Sequence, residues 1–550
     1  MDNPNFPVQF GKYYPGNSNA ANANVGVAEF ETDGNLKWIS IIGSDGLNYM
    51  GTWGLPIDVA SNGHIFIASE GEVRNGGDVV TKYKSGAYYD ATNTTASGYA
   101  NDIFIAEFNQ NGLLQWSTYF GGNKYQEWVN HLVIDGQDNL YIACTMDEAA
   151  PVKTKTGAYN ATLISGSDNN NLIAKFNSNG ALEWSTGFGE GTITAIDVDD
   201  NDKLYIAGRV KNSVPVTTGA SQTTQGGGGE SFLASFNADN SLNWCTYFGG
   251  SGNDYIEGMK VFRNNVWIAG ETSGSSSFPT VDDGSGKFYD GSFNGGITSF
   301  YKYYGDAFYS VFSLTGNLNH SSYLGSGNNE GLSFIVSDDY NVYIGGHTSS
   351  NNLTPFPFVS GGQSNSLYLD DTRISTDIAD GYIAAFNGNI AHKWGTYYGG
   401  EGEPDEILRG ERIGNAFFAT AYTANPASKL DLVRPSSPNG HFKNNQSSGA
   451  LILKFDLTNT SLGTKEQMAK DNRAFEIYPN PATNQINLAW QSKFKGRIEL
   501  RTLDGKILKV DDAIEGMNHS LDVSHLSSGI YVVIVSNNEM THVQKVSISK

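Results

Sequence analysis

IFIAEFNQNGLLQW, residues 103–116, sets the reading of this chain. An apolar strand ends in Phe108, a polar stretch closing on Asn111-Gly112 reverses the chain, and a second strand ends in Trp116. Asn-Gly between two apolar runs signals a β-hairpin, and its preference for positive φ predicts a type I′ turn. The same unit returns as VGVAEFETDGNLKW (25–38), LIAKFNSNGALEW (172–184), FLASFNADNSLNW (232–244), FYSVFSLTGNLNH (308–320), YIAAFNGNIAHKW (382–394) and LILKFDLTNTSLG (451–463). Self-similarity of this kind marks a repeat architecture.

Working outward, most copies leave through a Tyr-Phe-Gly-Gly-like exit, as at 119–122, 247–250 and 397–400. A second hairpin then ends in IFIAS (65–69), LYIAC (140–144), LYIAG (204–208), VWIAG (266–270), VYIGG (342–346) or FFATA (417–421). Trp38, Trp116, Trp184 and Trp244 are 78, 68 and 60 residues apart, a period that holds four strands with their loops. That is one blade of a β-propeller, whereas a parallel β-helix needs much shorter rungs. The Ile-Ala-Gly hairpin supplies strands a and b, and the Phe…Trp hairpin supplies c and d. By that rule the copy at 25–38 lacks an a–b partner, and PVQFGKYYPG (7–16) is the candidate for a strand there. Seven blades are expected, with six as the alternative. Strand alternation puts the b–c and d–a connections on one face, and the long b–c loops at 271–307, 347–381 and 422–450 make that face the expected binding surface. The repeat resembles the SBBP-like β-propeller family, whose members read W-S-T-Y-x-G-G and then D-x-x-G-N-x-Y-x-x-G; the likeness covers residues 20–465.

The last eighty residues have a different texture. AFEIYPNPATNQINLAW (474–490), GRIELRTLDGKILKV (496–510) and HSLDVSHLSSGIYVVIV (519–535) lead to HVQKVSISK at the end. Ile486 and Leu488, Ile498 and Leu500, Leu521 and Val523, then Tyr531, Val533 and Val535 alternate with more polar neighbours, as half-buried strands do. Two prolines bar Tyr478-Pro479-Asn480-Pro481 from a central strand, and Asp504-Gly505 reads as a tight turn. About seven short strands, an immunoglobulin-like sandwich, are expected. The stretch closely resembles the type A, type IX secretion C-terminal sorting domain of Bacteroidetes. The resemblance rests on Tyr478, Pro479, Asn480 and Pro481, on Gly505 within 503–508, on Gly529 and Tyr531, and on the Lys545-Val546 ending. It implies export to the cell surface or medium, with the outer-membrane translocon and its barrel shuttle protein as partners. The expected division is a propeller over 1–463, a polar linker over 464–473 and the sorting domain over 474–550.

Composition agrees with this reading. Sixty-five glycines, 12% aromatic and 17% charged residues suit a turn-dense all-β protein. The net charge is −22, while residues 471–550 carry nine basic and nine acidic side chains, so the excess lies in the propeller. Nucleic acid would be repelled. No apolar run is long enough for a membrane helix. The Met1-Asp2-Asn3 start has no charged-then-apolar leader, so a signal peptide is expected to lie outside this numbering. Cys144 and Cys245 sit in apolar strands and read as small buried residues, not a disulfide.

Candidate chemistry is sparse. In the loop 271–307, Tyr301, Tyr303 and Tyr304 accompany Phe278, Phe288, Tyr289 and Phe293 beside Asp282, Asp283 and Asp290; Phe356 and Phe358 follow in the next long loop. Aromatic planes beside carboxylates suit a sugar, and the same aromatics suit a loop anchored to its scaffold. Asp197, Asp199, Asp200 and Asp202 offer a weak calcium site, although an a–b turn uses Asp for backbone reasons. Neither H-E-x-x-H, G-x-S-x-G nor a phosphate loop occurs. Glu403 with Asp405 or Glu406 is the nearest thing to a glycosidase pair. The expectation is a non-enzymatic binding or adhesion module without a cofactor, with glycans or surface proteins as ligands. The rivals are an extracellular carbohydrate-active enzyme and a structural component of a surface motility or adhesion layer.

Overall fold

The computed structural model describes residues 12–14, 25–31, 35–42, 55–72, 81–91, 101–122, 127–274, 277–284, 287–294, 305–325, 329–338, 341–349, 380–399, 405–413, 416–423, 449–456, 476–478, 482–502, 506–536 and 541–549. All regular structure among them is β. Two compact units emerge, Met1–Asn459 and Thr460–Lys550.

The first unit is a β-propeller. It opens with β1 (Lys12–Tyr14) and the hairpin β2 (Val25–Phe30) and β3 (Leu36–Ile42). Blade 1 is β4 (Ile57–Val59), β5 (Ile65–Glu72), β6 (Asn101–Phe108) and β7 (Leu114–Phe120). Blade 2 is β8 (Trp128–Ile134), β9 (Leu140–Met146), β10 (Asn170–Phe176) and the first half of β11 (Leu182–Val198). The second half of β11 opens blade 3, with β12 (Leu204–Val210), β13 (Glu230–Phe236) and β14 (Leu242–Phe248). Blade 4 is β15 (Asp254–Phe262), β16 (Asn265–Thr272), β17 (Asp306–Ser313) and β18 (Leu318–Leu324). Blade 5 is β19 (Glu330–Ser337), β20 (Asn341–Thr348), β21 (Asp380–Asn387) and β22 (His392–Tyr398). Blade 6 shows β23 (Asp405–Ile413), β24 (Ala416–Thr423) and β25 (Gly449–Asp456).

The described residues therefore hold six inner strands and seven c strands. The segment expected to complete the copy at 25–38 contributes differently: Lys12–Tyr14 pairs parallel with β3, on the outer side of the hairpin, not beside β2 where an a–b hairpin would join.

The Phe and Trp of the repeat are the parts that join one blade to the next. Trp116 of blade 1 lies 6.1 Å from Phe176 of blade 2, and Trp184 of blade 2 lies 5.8 Å from Phe236 of blade 3. Trp116 and Trp184 are fully buried, and each donates its indole N–H to a b–c loop carbonyl, Tyr88 at 2.8 Å and Tyr159 at 2.9 Å. Aromatics of this size fill the wedge between twisted sheets, and a buried indole needs such an acceptor.

The c–d turn differs from the expected type I′. Gly112 takes φ 71° while Asn111 stays at negative φ, and the Gly112 amide donates to the Asn109 carbonyl. The Asn109 side chain accepts the amides of Asn111 and Leu113, closing a wider turn with a one-residue register shift after Glu107. That is a type I turn followed by a left-handed residue. Asn240 and Ile390 occupy the same position at φ 72° and 64°.

Of the long b–c loops expected to form a binding face, 350–379 and 424–448 lie outside the described residues; other b–c loops have a structural part. Their described segments run back along the outer strand of their own blade: Lys82 and Ser117 exchange backbone bonds, the Tyr119 amide donates to Asp90, Ser185 to Lys153, and Tyr247 to Gln222. An exposed strand edge invites pairing with other chains, and these loops cover it.

In the second unit, β26 (Glu476–Tyr478), β27 (Gln485–Thr502), β28 (Ile507–Asp522), β29 (Gly529–Ser536) and β30 (Thr541–Ile548) form a small sandwich. The first part of β27 lies between β26 and the end of β28, its second part between the start of β28 and β29. Two long bent strands thus do the work of four short ones. Ile486, Leu488, Ile498, Leu500, Leu521, Val523, Val533, Val535, Val546 and Ile548 form its buried core.

Candidate functional site at the mouth of the propeller axis

Five of the six described inner strands share one irregularity. Pairing skips from Val129 to His131, Ile193 to Ala195, Ile256 to Gly258, Leu332 to Phe334 and Ile407 to Arg409. Asn130, Thr194, Glu257, Ser333 and Leu408 are left as bulges at equivalent places around the ring. Bulges bend a strand and re-aim its side chains, and they concentrate at functional rims.

Just before each bulge the register defines one layer. Trp128 pairs with Thr145, Thr192 with Arg209, Tyr255 with Glu271, Gly331 with His347, and Glu406 with Tyr422. Blade 1 adds Glu70, paired with Ile103 on β6. The layer lies where the inner strands begin, on the face of the d–a connections, and Trp128 and Tyr422 are 36% and 46% exposed. Arg209 stacks over the Tyr255 ring at 3.8 Å and pairs with Glu257. Ser333 Oγ donates to Glu406 Oε1 at 3.1 Å, His347 Nδ1 lies 3.7 Å from the same oxygen, and Arg409 donates to the Ser333 carbonyl at 2.9 Å. Burial pulls the Glu406 carboxyl up, but His347, Ser333 and Arg409 outweigh it and hold it below the usual range. Burial pushes Glu70 up to about 7.

Deeper in the axis the charges are matched across blades. Asp197 Oδ1 accepts from Lys260 Nζ at 3.1 Å, and its Oδ2 accepts the Val261 amide at 2.6 Å. Asp58 Oδ2 accepts the Ile134 amide at 2.8 Å. Asp197 holds Lys260 above its ordinary value, with Glu411 and Asp58 adding to the effect. Burial, and then Arg409, push His131 down to about 4. Groups from blades 1, 2, 3, 4 and 6 thus act on one another, which fixes the common axis.

The residues expected to bind ligand lie elsewhere. Tyr301, Tyr303, Tyr304, Phe356 and Phe358 are outside the described residues. Of their neighbours, Phe278 is buried against Phe248, Phe308 and Tyr323, and Phe288 packs on Tyr309 and Phe386. The aspartates of the 197–202 turn part company. Asp197 faces Lys260, Asp199 accepts the amides of Asn201 and Lys203, and Asp202 accepts from Gly136 and Gln137 in the turn of the preceding blade. Asp200 stands exposed in the same turn. Among the described residues no three His, Cys, Asp or Glu side chains are arranged to hold a metal. Cys144 and Cys245 are free thiols, both buried.

In the second unit, Tyr478 lies on β26, and Tyr531 on β29 donates its hydroxyl to the Ser527 carbonyl at 3.0 Å. Gly529 starts β29, Lys545 pairs with Val532, and Val546 is buried. Pro479, Asn480, Pro481 and Gly505 are outside the described residues.

The axial layer had a sequence signal. Trp128, Tyr255 and Glu406 each follow a glycine-rich exit by a few residues, where a strand between blades otherwise calls for small or aliphatic side chains.

Residues 476–549 match the family model described as the secretion system C-terminal sorting domain. The tail is such a domain, which makes the chain a type IX secretion cargo and implies a surface or extracellular location. A curated relative, the regulatory protein FlaEY of Caulobacter vibrioides, is 22% identical over 341 residues, 60% of this chain; the match spans about a third of that protein's length. Among solved structures, a family 43 arabinoxylan arabinofuranohydrolase from Bacillus subtilis aligns at TM-score 0.26 and 11% identity, over 91% of this chain and 93% of that one. A family 43 β-1,3-galactosidase aligns at TM-score 0.28 and 7% identity, over 88% and 73%. Likeness at these scores carries no weight for activity, and the propeller rests on the strand order and register above.

Proposed function

We propose that the propeller, once exported, is a binding and adhesion module for surface glycans or glycosylated proteins, and that the mouth of its axis is the contact site. The observation that carries this reading is the single register layer of Trp128, Tyr255 and Tyr422 among Arg209, His347 and Glu406. Aromatic faces take the apolar side of a pyranose, and charged groups beside them take its hydroxyls. During export the sorting domain would engage the outer-membrane translocon and its barrel shuttle.

Full-length protein on a glycan array tests the binding reading. Trp128→Ala and Tyr422→Ala are expected to reduce retention at least tenfold without changing the melting temperature. Unaltered binding by both variants would remove the site from consideration.

A second reading, a glycoside-cleaving enzyme, draws on two carboxyls of the same layer pushed apart: Glu70 up to about 7 and Glu406 below its usual range. Such divergence is how an acid and its ionised partner are made. Sugar release during the array incubation, lost in Glu70→Gln, would favour this reading over binding alone.

A further inference from the structure

At three blade junctions with both side chains described, an acid at the start of a c strand accompanies an acid at the start of the following inner strand: Asp102, second in β6, with Glu127, just before β8, then Glu230 with Asp254 and Asp306 with Glu330, each first in its strand. All six are 2% exposed or less. Each pair converges on the glycine that follows the outer strand. A methyl group on Gly249 would lie 2.8 Å from Asp254 Oδ2 and 3.1 Å from Glu230 Oε1, and one on Gly325 would lie 2.7 Å from Glu330 Oε2 and 3.1 Å from Asp306 Oδ1. At Gly121 the added atom would strike Glu127 Oε2 and Asp102 Oδ1. The glycines of the repeated exit thus leave room for two carboxyls to sit together.

The junction between blades 2 and 3 provides an internal contrast. Asn170 stands where the c-strand acid would be, and Glu190 takes bonds from Ser167 and Asn212, with Lys211 at 3.9 Å. There Gly189, at the position of the other exit glycines, faces the Ser213 carbonyl and not a pair of carboxyls, and β11 continues from one blade into the next.

The pair between blades 3 and 4 shows the chemistry most fully. Glu230 accepts the amides of Gly226 at 2.5 Å and Gly227 at 3.1 Å, and the Gln222 side chain at 2.5 Å. Asp254 accepts the Gly250 amide at 2.7 Å and the Thr272 hydroxyl at 2.5 Å. Every one of these donors is neutral. The titratable groups acting around the pairs include Asp147, Cys144 and Tyr88 with its neighbour Asp90 at the first, Tyr323 beside both Asp254 of the second and Asp306 of the third, and Tyr382 at the third. Two carboxylates sharing a dry site cannot both ionise without a large cost.

We propose that these carboxyl pairs are proton-holding latches, each keeping one proton at neutral pH and losing it to solvent base in mildly alkaline solution, so that two like charges loosen the glycine exit and the blade junction. Burial holds Glu230 and Asp254 above the usual carboxylate range, and burial together with Asp102 and Asp147 pushes Glu127 up to about 9. The folded chain then binds more protons than the unfolded one above the ordinary glutamate value of 4.5, and stability falls as pH rises from there through about 9.

The test is thermal melting of the full chain between pH 6 and pH 10. Wild type is expected to lose about 5 °C or more over this range. Glu127→Gln with Glu230→Gln and Glu330→Gln should flatten that slope, while Glu190→Gln at the contrasting junction should leave it unchanged. An equal slope in the triple variant overturns the proposal. Should that variant not fold, infrared spectroscopy of wild type decides. A carboxylic-acid carbonyl band present at pH 7.5 and lost by pH 10 supports the latches, and its absence at pH 7.5 overturns them. Calcium chloride added at constant pH must leave the wild-type melting temperature unchanged; a rise that the triple variant lacks would mean that a cation, not a proton, neutralises the pairs.

Discussion

The two units bury different materials. Between propeller blades the largest fully buried side chains are aromatic, Trp116, Trp184, Trp267, Tyr119 and Tyr141 among them, whereas among the described residues the buried core cluster of the C-terminal sandwich consists of Ile, Leu, Val and Ala. Blades twist away from each other and leave a wedge that only large rings fill. Two small faces pressed together need no more than aliphatic chains. The propeller thus puts its sequence-specific residues into joining blades and lining an axis, while the sandwich holds a generic core behind a recognisable surface. One unit is a scaffold for a site, and the other is a signal.

The sharpest way to separate them is to remove one. Deleting residues 476–550 is expected to reduce the protein in the medium and on the cell surface to background while the remaining propeller melts as before. Export of the truncated chain would place the signal elsewhere.

Within the folded chain, Trp184→Ala should cost about 3–5 kcal/mol, because it opens a cavity between blades 2 and 3 and orphans the Tyr159 carbonyl. It should lower only the propeller transition in a calorimetric scan. Leu500→Ala is expected to cost about 2–5 kcal/mol and to lower only the transition of the sandwich. If either substitution moved both transitions, the two units would melt as one body.

The smallest effect concerns the turns that link blades on the short-turn face. Asp138 accepts the amide and hydroxyl of Ser61, from the turn of the preceding blade, each at 2.7 Å. These bonds are exposed, so Asp138→Ala should cost only about 1 kcal/mol, part of it from the residue's φ of 63°. Urea denaturation followed by tryptophan fluorescence resolves a change of that size.

Much of the fold was legible because its signals are local. Alternation in IFIAEF and LYIAC, the polar turn after Phe108, and the ordered motifs at the C-terminus each act over fewer than twenty residues. The turn type was not legible: Asn111-Gly112 favours positive φ at both residues, and the Asn109 side chain captured the amides that would have permitted it. The long loops were read as a raised binding surface from their length and aromatic content. In the loop 271–307, Val281 and Asp290 bond to Ser321 and Tyr323 of the outer strand, because an unpaired d strand attracts any backbone that can reach it, while 350–379 and 424–448 lie outside the described residues.

By itself, the sequence determined that this is an all-β chain of repeated hairpins ending in a sorting domain, since periodicity and turn chemistry are properties of neighbouring residues. Only the tertiary structure decided which residues share a layer. Trp128, Tyr255 and Glu406 stand about 130 to 150 residues apart along the chain, and Glu230 meets Asp254 above a glycine. Strand register and blade order, not spacing along the chain, bring such residues together, because each depends on pairings that close over whole blades.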